Sequence, residues 1–231
     1  MIRFARTTTS LAILVAAASA ATAGTDIFRG RGNEPFWSVE KTAEAITFQP
    51  MDGRPVTLAP VPAPRKDGNA EIYAATVGGE AFALTIADTV CADTMSGMPF
   101  PKSVTVALGA KTFSGCGGEP VTLLLGEWMI AEIDGKPAVP GSTPSVRFEA
   151  DGKVNGNGSC NRFFGSYALT GEGLTVGELG SSMMMCDEPL MDQERAVLDI
   201  LKALGGFAIG EDGALILRGG DGRTITARPV A

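Results

Sequence analysis

The chain has 231 residues, 19 basic and 26 acidic side chains, a formal net charge of −7, four cysteines and no histidine. The acidic excess argues against nucleic acid and anionic lipid surfaces as partners, because a phosphate-binding face needs a basic surplus. Without histidine no Ser-His-Asp or Cys-His pair can form, and the commonest zinc ligand is missing.

The N-terminal stretch MIRFARTTTSLAILVAAASAATAG sets Arg3 and Arg6 ahead of an apolar run from Leu11 to Ala18, followed by Ala21-Thr22-Ala23. That is the layout of a secretory signal peptide, residues 1–23, cleaved after Ala23. The run is too short to cross a bilayer, and no later stretch of about 18 apolar residues follows it. The first cysteine is Cys91, so no cysteine stands at the cleavage site to carry a lipid. The expected product is periplasmic or secreted, neither lipid-anchored nor stably inserted in a membrane. Its length admits two ordinary domains, placed at 24–120 and 121–231.

In "GNEPFW", Phe36 and Trp37 are expected to seed a core. Apolar residues then alternate with small or polar ones at Ile46 and Phe48, at Phe82, Leu84 and Ile86, and at Val104, Val106 and Leu108, the period of half-buried strands. Between the first two groups, "RPVTLAPVPAPRKDG" reads as irregular or edge structure, since proline cannot donate to a central ladder. Asp93 and Glu34 are candidates for paired carboxylates, although nothing in their spacing forces them together. Asp-Gly occurs six times, at Asp52, Asp67, Asp134, Asp151, Asp212 and Asp221, and suits two-residue hairpin turns because both positions tolerate positive φ.

The second half continues in the same style. "SVRFEA" places Val146 and Phe148 on one face, and "FFGSYALTG" reads as another strand. "DEPLMDQERAVLDILKALGG" is the one convincing helix. Leu190, Val197, Leu201 and Leu204 suit one face, Pro189 suits the first turn, and Gly205-Gly206 suits the stop. "GFAIG", "ALILRG" and "RTITARPV" then form a meander. The fold class is mainly β (α+β): two antiparallel β domains, the second a partly open, barrel-like sheet packed with one helix.

Cys91 and Cys116 fall in the first half, Cys160 and Cys186 in the second, and an even count in an exported chain predicts disulfides. Of three pairings, only 91–116 with 160–186 stays within the proposed domains. Each bridge closes a loop of about 25 residues, worth about 3.5 kcal/mol in the chain-entropy model. A nucleophilic Cys160 lacks the neighbouring histidine base such sites use, and no two cysteines have thioredoxin spacing. "GNGSCN" is not followed by the helix a phosphate loop needs, so its glycines read as a tight bend or bulge. In "SSMMMCDEPLM" the methionines, with Met191, are soft donors of the kind that hold Cu(I). The structural alternative, alternate methionines filling a core with Cys186 bridged, is preferred. No catalytic, cofactor-binding or metal residue is therefore assigned, and no cofactor is expected.

From Leu124 onward, "LLGEWMIAEIDGKPA" with Trp128 and Gly135, "SVRFEADGKVNGNGSCNRFFGSYALTGEGL", "ELGSSMMMC" and the helix carrying Met191, Glu194 and Leu201 resemble the META domain family, which includes HslJ-type heat-inducible envelope proteins of bacteria. Ser182 stands where that family more often has threonine, and Met185 where a smaller residue is common. The resemblance implies a curved antiparallel sheet or incomplete barrel with one helix, no established catalytic centre, and association with stress responses. In the first half, "RGRGNEPFWSVE", "CADTMSGMPFPKSV" and "FSGCGG" resemble a bacterial envelope-protein module that brings little chemistry with it.

These readings favour a non-enzymatic, stress-related envelope protein that binds a protein partner or a hydrophobic small ligand. Two alternatives stand beside it. One is a hydrolase or redox enzyme using carboxylates or thiols. The other is a protease inhibitor presenting "PVPAPRKDG" as a rigid loop.

Overall fold

The computed structural model describes residues 27–230. The expected signal peptide, residues 1–23, lies outside them. The first half holds β1 (Phe28–Asn33), β2 (Phe36–Lys41), β3 (Ile46–Pro50), β4 (Val56–Leu58), β5 (Arg65–Asp67), β6 (Ala70–Val77), β7 (Glu80–Ala87), β8 (Cys91–Ala92), β9 (Pro99–Phe100), β10 (Lys102–Leu108) and β11 (Lys111–Gly117). A 3-10 turn, Pro120–Leu123, leads into the second half. There the chain forms β12 (Gly126–Ile133), β13 (Lys136–Pro137), β14 (Ser145–Phe148), β15 (Lys153–Asn157), β16 (Arg162–Thr170), β17 (Gly173–Val176) and β18 (Gly180–Ser181). After helix α1 (Glu188–Lys202) come β19 (Leu204–Ile209), β20 (Leu215–Gly219) and β21 (Thr224–Pro229).

The first sheet runs β4-β3-β2-β1-β11-β10-β7-β6-β5, all antiparallel, with β8 and β9 as a separate hairpin. The proline-rich stretch supplies both of its edges, the short strands β4 and β5, with its prolines outside both ladders. Alternation sends Phe82, Leu84, Val104 and Val106 to one face, each no more than 1% exposed. There they join Ile46, Phe48 and Trp37, with the Phe48 ring centroid 5.9 Å from Trp37 and 5.1 Å from Phe113. Trp37 is in the core as expected, but Phe36 is 50% exposed. Neighbouring residues of one strand point to opposite faces, so β2 can bury only one of the pair.

The second sheet runs β17-β16-β15-β14-β12-β21-β20-β19. Its two ends, β17 and β19, pack side by side without joining in a ladder, so the sheet is a nearly closed antiparallel barrel. At that seam a Cβ on Gly173 would collide with the Gly205 carbonyl oxygen. Val197, Ile200 and Leu201 of α1 are fully buried against the barrel.

The expected helix stop is displaced. α1 ends at Lys202, and Leu204 already pairs with Gly219 in the next ladder. Gly205 and Gly206 sit at a register shift inside β19, where the strand is captured before the helix can extend. The Asp-Gly expectation also narrows. Every one of the six glycines has positive φ, but Asp134, at φ 51°, is the only aspartate that shares it. At three of the others aspartate takes the turn-capping part: Asp151, Asp212 and Asp221 accept the N–H of Lys153, Ala214 and Arg223 through Oδ1.

The boundary near residue 120 separates the sheets but not the cores. Met98, Phe100 and Cys116 from the first half pack with the second core, and the Arg31 guanidinium lies 5.1 Å from the Phe100 ring centroid.

Candidate functional site

The structure joins Cys91 to Cys116 and Cys160 to Cys186, with Cα atoms 5.5 and 5.9 Å apart. Cys160 is thus half of a covalent staple, and its surroundings explain the "GNGSCN" stretch. A side chain on Gly156 would run into the Ser145 carbonyl of the neighbouring strand, and a Cβ on Gly158 would lie 2.7 Å from Glu194 Cγ. Close approach, rather than a bulge, requires these glycines.

Glu194 is the centre of a buried clamp. It is 6% exposed, on the face of α1 that packs inward. Its carboxylate accepts the N–H groups of Cys160 and Asn161 at 3.2 and 2.5 Å and Asn161 Nδ2 at 3.0 Å. Asn161, 2% exposed, passes the connection on. Its Oδ1 accepts Ser182 Oγ at 2.8 Å and the Met184 N–H at 2.6 Å, while Nδ2 also donates to the Met184 carbonyl at 3.1 Å. The amide thereby uses both donors and both acceptor sites.

Beside Glu194, Gln193 does the same for two other loops. Its Oε1 accepts the Val139 N–H at 2.6 Å, and its Nε2 donates to Ser142 Oγ at 3.0 Å and Ser159 Oγ at 2.5 Å. Among the described residues every buried side-chain nitrogen or oxygen has a partner.

Sequence reasoning singled out the apolar side of this helix and assigned no role to the polar pair. Gln193 stands four residues and Glu194 three residues before Val197, so both share its buried face. Two polar residues in register with an apolar stripe are the signal that could have found the clamp.

The methionine expectation is overturned. Met183, Met184 and Met185 are 96%, 57% and 91% exposed, so they fill no core. The segment is held by its backbone on Asn161 and by the Cys186 bridge, and that hold leaves the side chains outside. Phe164, 65% exposed, lies nearby, with its ring over Gly180 next to Ser181.

A cleft of about 750 Å³ opens between the two halves. Met98, Phe100, Val121, Tyr167 and Leu169 give it apolar walls. Its charged residues are two guanidiniums, Arg29 and Arg31, and two carboxylates, Glu40 and Glu119. Arg29 Nε is 3.1 Å from Glu40, and Arg31 rests on Phe100. The cavity foreseen between sheet and helix is instead solid: Ile130, Phe148, Leu174, Ile200, Leu215 and Ile225 occupy the barrel interior, each no more than 2% exposed.

Glu34 and Asp93 do line one cavity, of about 460 Å³. Asp93 is committed to its own loop, however. Its carboxylate accepts Asn33 Nδ2 at 3.0 Å, the N–H groups of Met95 and Ser96 at 3.1 and 2.8 Å, and Ser96 Oγ at 2.9 Å. Burial alone would raise its pKa, but these donors outweigh it and lower the value from 3.8 to about 2. A carboxyl so acidic is a poor proton donor near neutrality.

This depressed pKa carries a stability prediction. Because Asp93 is more acidic folded than unfolded, its contribution is complete above the ordinary value of 3.8 and is lost as pH falls toward about 2. The amount is about 2 kcal/mol at neutral pH. Asp93→Asn is expected to flatten this part of the acid limb in urea melts. An acid limb identical to the wild type would contradict the assignment.

A nearly closed antiparallel barrel, pinned by one helix and an internal disulfide, places the second half among small stapled β-barrel domains. Residues 121–230 match the family model described as META domain. An NMR structure of a protein from Burkholderia xenovorans is 27% identical over 48% of this chain and 86% of its own, with a TM-score of 0.40. A second NMR protein structure is 24% identical over 48% of this chain and 94% of its own, also with a TM-score of 0.40. Comparison with curated proteins gave no match.

Proposed function

We propose that the protein is a non-enzymatic, stress-related protein of an extracytoplasmic compartment, binding a hydrophobic or amphipathic small ligand in the cleft between its halves. The observation that carries this reading is the cleft itself. Its volume of about 750 Å³ falls within the range of small-molecule sites, and its walls combine apolar side chains with polar and charged ones. The two guanidiniums and two carboxylates of its lining balance in charge, so the ligand is neutral or weakly charged and its apolar body contributes to the affinity.

Two disulfides suit an oxidising compartment, and among the described residues no helix is long and apolar enough to cross a membrane. The META domain assignment supports the non-enzymatic and stress-related parts of the reading.

Native mass spectrometry of the protein after incubation with a bacterial envelope lipid extract tests the proposal. The wild type is expected to retain a discrete ligand mass, and Leu169→Glu, which puts a charge on the half-buried cleft wall, to lose it. Retention by both proteins, or by neither, would overturn the cleft as the binding site.

A further inference from the structure

Met183 and Met185 are almost fully solvated, and yet the residue between them is held by its backbone. Both the N–H and the C=O of Met184 engage the same Asn161 amide, at 2.6 and 3.1 Å. Those two groups of one residue point the same way only in extended backbone, so Asn161 stands in for a neighbouring strand. Ser182 N–H donates to the Arg162 carbonyl at 3.0 Å on one side, and the Cys160–Cys186 bridge closes the other. In extended backbone successive side chains alternate, so Met183 and Met185 share one side and Met184 takes the other. The two share that side with their Cα atoms about 6.6 Å apart.

Exposed apolar side chains on a fixed backbone gain nothing from burial, so what distinguishes these residues is the thioether. The chain has no histidine, and its four cysteines are all bridged. Among the described residues no three His, Cys, Asp or Glu side chains gather as ligands. The soft donors left on the surface are methionine sulfurs, which select soft monovalent cations over Zn²⁺ or Mg²⁺. We propose that Met183 and Met185 form a two-thioether site for a soft monovalent cation, Cu(I) or Ag(I). Three rotatable bonds in each side chain let the sulfurs converge, while the clamp supplies the fixed backbone.

The probe is Ag(I), which needs no reductant and so leaves the disulfides intact, titrated calorimetrically into the oxidised protein in chloride-free buffer. The wild type is expected to bind one equivalent with a Kd of about micromolar or tighter. Met183→Leu/Met185→Leu is expected to bind at least about tenfold more weakly, and Met184→Leu within about twofold of wild type. Thermal unfolding of all three should coincide, since these side chains are exposed, and that separates loss of the site from loss of the fold. The proposal falls if the wild type shows no saturable equivalent, if the double variant binds as tightly as wild type, or if Met184→Leu loses as much as the double variant.

Discussion

Glu194→Ala is expected to lower the stability of the protein by about 3 kcal/mol. The variant removes the acceptor for three donors, two of them backbone N–H groups that cannot turn elsewhere. A buried donor left without a partner costs about 1–3 kcal/mol, and water entering the space recovers part of it. Glu194→Gln keeps one carbonyl oxygen in place and should cost about half as much. The measurement is the urea midpoint with its slope unchanged, which marks a loss of stability rather than a change of unfolded state. Asn161→Ala shares the same network, so the two losses should not add in the double variant. A Glu194→Ala cost below about 1 kcal/mol would show that the carboxylate is not the keystone of the clamp.

Removing the second staple is the other large effect. Cys160→Ser/Cys186→Ser opens a loop with a sequence separation of 26 and is expected to cost about 3.5 kcal/mol, chiefly by freeing the unfolded chain. Its location gives a second readout. Amide exchange should quicken at Met184, because the loop then loses its covalent tie on the Cys186 side and is left with the Asn161 amide and the Ser182–Arg162 bond. The matching change at Cys91 and Cys116, separation 25, has a similar chain-entropy cost but a different locus. Cys116 packs with Met98 and Phe100 at the junction of the halves, so exchange should rise around the cleft and not at Met184. Equal exchange patterns in the two variants would refute this division of labour.

The contrast between these two effects parallels what could be read from the chain alone. The disulfide pairing followed from arithmetic on the cysteines, because each pair lies within one half and the loops are short. The clamp did not, because Glu194 meets Cys160 and Asn161 across 34 and 33 residues. No periodicity carries that distance. A helix pattern shows which face turns inward, but not that a carboxylate on that face will find three donors waiting.

What the amino-acid order determined by itself is therefore local: strands at Phe82–Ile86 and Val104–Leu108, a proline-rich stretch that reaches only the edges β4 and β5, one helix, and the terminal meander. Side-chain alternation, a missing N–H and helical spacing act within a few residues, so they are legible without a fold. The tertiary structure alone decided that Phe36 faces water while Trp37 does not, that the methionines stand outside the core, and that the cleft lies between the halves rather than inside the barrel. Each of those outcomes depends on which distant surface arrives to cover a residue, and covering is a property of the assembled sheets.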